Sequence, residues 1–257
     1  MTAADDRPVG DDRPQVLTIA GADVVLLDDD GVATARVELV PGATATSVAA
    51  QAVQHLAGRR LETADQALAD ALVARGLRLQ RAATDLRHDV ADLPPPQPLP
   101  AGWSLAGPGF DDDVLAAVTA AYGPDHPDGG WTTSDTQEVR AMFAGTAEVP
   151  PLAYASARLL GPDGRSAGHV LVAGPVPWRD TPCGWVLNVA VAPAGQGRGL
   201  GRALMVHALH GVLAAGLPAL ELSIVDGGPA RPLYDRLGFR VLRRVLTVDL
   251  PAAPTRR

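Results

Sequence analysis

Lysine is absent from this chain: all 22 basic residues among its 257 are arginine. A GxxxxGK[ST] phosphate loop needs a lysine to reach the outer phosphates, so that mode of nucleotide binding is excluded. Cys183 is the single cysteine. No disulfide can close within the chain, and neither a thiolate zinc cage nor a CxxC redox motif can be drawn; a small apolar filler is its ordinary role. No run approaches the ~18 apolar residues of a membrane span. The opening MTAADDRPVGDDRP lacks the cationic start and apolar core of a signal peptide, so a cytoplasmic protein is expected. No basic block stands out and the formal charge is −7, which argues against a nucleic-acid partner and leans towards cationic small molecules. What is present, 47 % hydrophobic residues, is enough for one large core or two modest ones.

The sharpest change in composition is ADLPPPQPLP at residues 91–100, whose prolines hold an extended, semi-rigid spacer. It divides the chain into a disordered start at 1–14, a half-domain at 15–90, the linker at 91–100, and a larger domain at 101–257. Beyond the linker a strand is expected at 103–106 and a helix at 110–122. Asp111, Asp112 and Asp113 begin that helix, where carboxylates suit both capping and the helix dipole. Thr132-Thr-Ser-Asp135 can cap a second helix to Phe143, with a turn-rich loop carrying Asp125 and His126 between the two. A hairpin at 152–160 and 167–173, a strand at 185–191, a helix at 199–215, a strand at 219–225, a short helix at 230–237 and a last strand at 241–250 follow. The expected order is βααβββαβαβ, an α/β (α+β) fold with a mixed, mostly antiparallel sheet flanked by helices.

The first ninety residues repeat part of this pattern. Val37-Glu-Leu-Val-Pro41 and a helix through His55 parallel Val189-Ala-Val-Ala-Pro193 and the helix through His207. Ala74-Arg-Gly-Leu-Arg78 parallels Arg236-Leu-Gly-Phe-Arg240. At the sites of Gly197, Gly199 and Gly201 the amino-terminal copy carries Ala45, Ser47 and Ala49, so a duplicate would have lost its ligand loop.

That loop, Gln196-Gly197-Arg198-Gly199-Leu200-Gly201, lies between an apolar strand and a helix. A glycine-rich turn opening a helix aims several backbone N–H groups one way, at the positive end of the helix dipole, and so forms an anion site. The dinucleotide fingerprint G-x-G-x-x-G fails, because its last glycine falls on Arg202 or Leu204.

With these residues, the segment from Pro98 to Leu250 resembles the GNAT superfamily of acyl-CoA-dependent N-acyltransferases. Gln196, Gly199 and Gly201 meet its [QR]-x-x-G-x-[GA] signature, after the V-x-V-x-P of Val189, Val191 and Pro193. Residues 233–239, LYDRLGF, match its L-Y-x-x-[LF]-G-F pattern. The resemblance implies a GNAT fold preceded by a degenerate GNAT-like half-domain. It also implies an enzyme moving an acetyl group from acetyl-CoA to a primary amine by direct attack in a ternary complex, with no metal. Backbone amides of Gln196, Gly197, Arg198, Gly199, Leu200 and Gly201 would hold the coenzyme A diphosphate, with the Arg198 and Arg202 side chains near it. Val189, Ala190 and Val191 would pair with the pantetheine arm, and a bulge there would splay this strand from residues 219–225. Tyr234 matches the general acid, a proton source suited to an alkyl thiolate.

Many members carry a glutamate base where this chain has Asn188, and an amide cannot accept an ammonium proton at neutral pH. Asp125 and His126 are the candidates to relay that proton. Asn188, Trp131 and Asp226 are candidates to line the acceptor pocket. The expected partner is a small-molecule amine or a protein amino terminus, with neither nucleic acid nor membrane; a homodimer stays open. The missing glutamate leaves one alternative, a non-catalytic acyl-CoA-binding regulatory or interaction protein.

Overall fold

The computed structural model describes residues 15–29, 32–179 and 181–252. The expected disordered start, residues 1–14, lies outside the described residues. Contacts divide the chain into two units, one of residues 1–82 with 244–257 and one of residues 83–243. The division passes through two strands, β5 (Leu79–Asp89) and β11 (Arg240–Asp249). The proline-rich residues 94–100 belong to the second unit.

In the first unit, β1 (Gln15–Ile19), β2 (Ala22–Asp29) and β3 (Val32–Leu39) form an antiparallel meander. α1 (Ala45–His55) leads to β4 (Arg60–Thr63), which pairs parallel to β3, and α2 (Gln66–Val73) follows. The end of β11 closes this sheet, Leu246 to Asp249 lying antiparallel to Thr63 to Arg60. Val37, Val48, Ala52, Leu61, Leu68, Leu72 and Val248 make the core between sheet and helices.

The second unit runs β6 (Ser104–Ala106), α3 (Asp112–Ala121), α4 (Thr133–Phe143), β7 (Ala157–Leu160), β8 (Ser166–Ala173) and β9 (Gly184–Val191). It continues with α5 (Leu200–Ala214), β10 (Ala219–Val225), α6 (Arg231–Leu237) and the start of β11. The order βααβββαβαβ is the expected one, and the strands lie β5-β10-β9-β8-β7-β6. Only β9 and β10 pair parallel; the other pairs are antiparallel.

Local chemistry sets the helix starts. Asp111 accepts from the Val114 N–H at 2.9 Å, and Asp113 pairs with Arg165, so the acidic triplet is spent on capping and surface ion pairs. Thr132 and Asp135 form a reciprocal capping box on α4. The hairpin's first strand begins at Ala157 rather than 152. Residues 153–155 turn instead, because α5 packs so closely there that a Cβ on Gly211 would lie 2.0 Å from the Tyr154 carbonyl oxygen. Leu204, Met205, Leu209 and Val212 of α5 are buried against the sheet, each contributing roughly 1.5–3 kcal/mol.

On one face of the β5–β10 pair the chain buries charge. Asp85 accepts from Arg179 at 2.7 Å and Arg243 at 2.9 Å, while Glu221 pairs with Arg87 at 2.7 Å and Arg179 at 2.8 Å. Arg179 also lies 4.7 Å from the centre of the Trp185 ring. Burial alone would raise the Asp85 carboxyl, but the two guanidinium groups hold it below the usual carboxylate value.

Candidate active site

The site begins as a defect in strand pairing. β8 and β9 pair regularly from Gly168↔Val191 to Leu171↔Asn188, then slip so that Val172 faces Val186 and Leu187 has no opposite number. On the other edge β9 touches β10 only at Gly184↔Leu220 and Trp185↔Glu221. Beyond those pairs the two strands part, and a cavity of about 390 Å³ opens between Val186 to Val191 on one wall and Leu222 to Ile224 on the other.

The glycine loop forms the mouth of this cavity. Gly197 and Gly199 have φ of 75° and 79°, a region that side-chain-bearing residues rarely adopt, so the turn itself demands them. Gly199 is the αL N-cap of α5, with no side-chain cap and no acidic residue in the first turn. The first N–H groups of the helix therefore have no capping side chain competing for them. Gly201 is different. It sits within the helix, and a Cβ there would meet nothing nearer than Leu233 at 3.7 Å. The fold would accept alanine and gain up to ~1 kcal/mol of helix propensity. Space is kept open on the cavity side at a cost to the helix, which suits backbone binding of a bulky anion such as a diphosphate.

Two phenols meet at the inner end. Tyr234 of α6 is 5 % exposed. Burial raises its hydroxyl above the ordinary value, helped by Tyr122 and the charge of Asp128. Tyr122, just after α3, is pushed up to about 12 by burial and by Asp128. It donates to the Val189 carbonyl at 3.3 Å and hydrogen-bonds Asn188. Both phenols stay protonated at neutral pH and can give a proton. Asn188 Oδ1 accepts from the Nε2–H of buried His169 at 2.6 Å, and burial holds that imidazole neutral.

Of the residues singled out from sequence, His126, Asn188, Val189, Ala190, Val191, Gln196, Gly197, Gly199, Leu200, Gly201 and Tyr234 line the cavity together. Asp125, Arg198 and Arg202 are not among the lining residues. Trp131 stands back from it, packed against Phe110 and Tyr122 with its indole N–H on Thr136 Oγ1 at 2.9 Å. Asp226 accepts from the Thr84 hydroxyl at 2.9 Å beside the end of β10. Sequence reading missed Tyr122, Asp128, Ser223 and, behind Asn188, His169. For His169 a signal existed: a single imidazole in the otherwise apolar run of β8.

An open sheet whose parallel middle strands diverge into a cleft, with an uncapped glycine-rich helix start at its mouth and a buried phenol at its end, is an acyltransferase architecture. Comparison with known proteins agrees. Residues 112–239 match the acetyltransferase (GNAT) family. A mycothiol acetyltransferase of Actinosynnema mirum is 31 % identical over 84 % of this chain and 74 % of its own. Mycothiol acetyltransferases of Tsukamurella paurometabola and Frankia alni are 35 % and 37 % identical, over 66 % and 68 % of this chain but 60 % and 55 % of theirs. A solved GCN5-related N-acetyltransferase from Sphaerobacter thermophilus shares the fold, with TM-score 0.62 over 91 % of this chain and 78 % of that one at 19 % identity. The chain belongs to the GNAT family of acetyltransferases. It is an N-acetyltransferase domain whose donor is acetyl-CoA, and the non-catalytic alternative is not favoured. Among the described residues no group of three His, Cys, Asp or Glu side chains gathers as a metal site, and no helix is long and apolar enough to cross a membrane.

Proposed function

We propose that this protein acetylates the primary amine of a small molecule of the mycothiol type, by direct attack of the bound amine on the acetyl-CoA thioester. The observation that carries this reading is the cleft between β9 and β10, which joins the glycine-rich mouth to Tyr234. The acceptor class is drawn from the named relatives.

On this reading the backbone amides of residues 196–201 hold the diphosphate, and each charge-assisted hydrogen bond is worth roughly 1.5–3 kcal/mol, which removes the need for a lysine. Arg198 and Arg202, at the same helix start, add positive charge from outside the cavity. The edge of β9 at Val189 to Val191, which β10 leaves unpaired, offers main-chain groups to the pantetheine arm. Alignment of amine and thioester replaces roughly 7–11 kcal/mol of barrier, and Tyr234 protonates the departing sulfur. Asn188, held by His169 and Tyr122, lines the cavity and offers its remaining amide N–H to an oxygen of the acceptor or of the acetyl group. The reaction takes place in the cytoplasm. Residues 15–90 are a GNAT-like half-domain without a ligand loop of their own, a reading supported by their βββαβαβ element order. Thiol release from acetyl-CoA, measured with deacetylated mycothiol beside a polyamine, an aminoglycoside and a peptide amino terminus, tests the proposal. Turnover at least ~10-fold faster with the mycothiol precursor supports it; equal or faster turnover with another amine class reassigns the acceptor.

A further inference from the structure

Acetyl transfer to an amine leaves one proton to remove from nitrogen, and the groups named so far do not remove it. Tyr234 and Tyr122 stay protonated. Asn188 is an amide, bound to a neutral histidine. His126 lines the cavity and leans on the Tyr122 ring at 4.5 Å, but its Nδ1 already accepts the Asp128 backbone N–H at 3.2 Å. The ring N–H then sits on Nε2, so the ring is a donor there.

One group is left. Of the ionisable side chains lining the cavity, Tyr122, His126, Asp128 and Tyr234, Asp128 is the single carboxylate. It lies on the loop between α3 and α4 with its side chain 30 % exposed, and its Oδ2 is 3.8 Å from His126 Nδ1. Its charge acts on both phenols, which puts it at the same end of the cleft as the proton donor.

We infer that Asp128 is the group that takes the proton from the acceptor nitrogen. The inference rests on the acetyltransferase reading above and deepens it. The neutral amine donates an N–H hydrogen bond to the carboxylate. As nitrogen commits its lone pair to the acetyl carbon, its N–H bonds become strongly acidic, so a carboxylate can take one of these protons. The N–C bond forms and the C–S bond breaks. The sulfur takes the Tyr234 proton and Asp128 takes one nitrogen proton. Products leave as amide and thiol, and the Asp128 acid reprotonates the Tyr234 phenolate, which restores both groups with no outside reagent. The hydrogen bond from the 128 backbone N–H to His126 fixes the loop that presents the carboxylate.

Steady-state kinetics on the full-length protein test this. Asp128→Asn is expected to lower kcat for the amine by ~100-fold or more, to leave acetyl-CoA binding by calorimetry unchanged, and to regain turnover when formate is supplied in solution. Asp128→Glu is expected to keep part of the activity. An Asn variant that binds acetyl-CoA and turns over within about threefold of wild type overturns the inference. So does an inactive Asn variant that binds acetyl-CoA but is not rescued by formate. Should that variant lose acetyl-CoA binding, Asp128→Ser decides by the same rescue: restored turnover supports the role and its absence overturns it. Wild-type protein that releases no thiol with any amine refutes the acetyl-transfer reading itself, a result distinct from all of these.

Discussion

From β1 to β5 the chain runs βββαβαβ, and from β7 to β11 it runs βββαβαβ again. Each run places a parallel strand pair on either side of its longer helix, β3 with β4 and β9 with β10. Their differences are local. β2 and β3 pair without a slip over eight residues, whereas β9 bulges at Leu187. β4 ends at Thr63, one residue after its last pair with β3, whereas β10 runs on to Val225 after leaving β9 and so gives the cleft a second wall. Ala45 is already helical at the start of α1, whereas Gly197 and Gly199 turn in αL before α5. The shared element order is thus insufficient for a site. A bulge, a strand that outlasts its pairing and an αL turn must coincide.

The largest effect expected from breaking this comparison is removal of the first half. Deleting residues 1–92 takes away β5, which pairs with β10 from Ala83↔Val225 to Asp89↔Ala219 and supplies Asp85 and Arg87 to the buried ion network. The remainder is expected to be insoluble or to lack a cooperative unfolding transition by circular dichroism, even though it keeps the glycine loop. Next come the charges. Asp85→Ala leaves Arg243 and part of Arg179 uncompensated in a buried site and is expected to cost ~3–5 kcal/mol in denaturant unfolding. The exposed Arg60–Asp249 pair of the first unit is its counterpart, and Asp249→Ala is expected to cost ~0–1 kcal/mol. The Asp85 carboxyl is depressed in the folded state, so its stabilisation is present above the unfolded value near pH 4 and is lost as pH falls through the folded one. Asp85→Asn should flatten the acid side of the stability curve.

A smaller effect separates chemistry from packing. Tyr234→Phe is expected to lower kcat by ~100-fold with little loss of stability. Leu72, fully buried in the core of the first unit, should behave oppositely: Leu72→Ala is expected to lose ~2–5 kcal/mol with kcat unchanged per folded molecule. The smallest pair is a reciprocal one. Gly201→Ala is expected to raise stability by up to ~1 kcal/mol while weakening acetyl-CoA binding. Ala49→Gly, within α1 of the first unit, should lower stability by at least ~1 kcal/mol and leave acetyl-CoA affinity alone. Thermal unfolding with and without acetyl-CoA reads both.

What was legible in the sequence was what residues declare locally. The order of elements from 103 to 250 follows from apolar spacing, caps such as Thr132 and Asp135, and stops such as Gly238. Gly197 and Gly199 announce a turn because few other residues tolerate its backbone. Strands β1 and β2 and the company kept by Asn188 were not legible, and of β3 only its end at Val37 to Leu39 was. Tyr122, Asp128 and His169 come from a helix end, a loop and a neighbouring strand, and meet only through packing over long sequence separations. The proline-rich segment reads as a boundary because composition changes there. The contact units divide within β5 and β11 instead, since a strand's allegiance is set by its hydrogen-bond partners, which composition does not reveal.

That division has a consequence during synthesis. The sheet of the first unit is closed by residues 246–249, made long after β1 to β4, so this unit, although begun first, cannot close its sheet until the second unit has been synthesised. A chain interrupted before residue 246 therefore holds no finished amino-terminal sheet, and α1 and α2 lack Val248 and Leu250 in their core until β11 arrives.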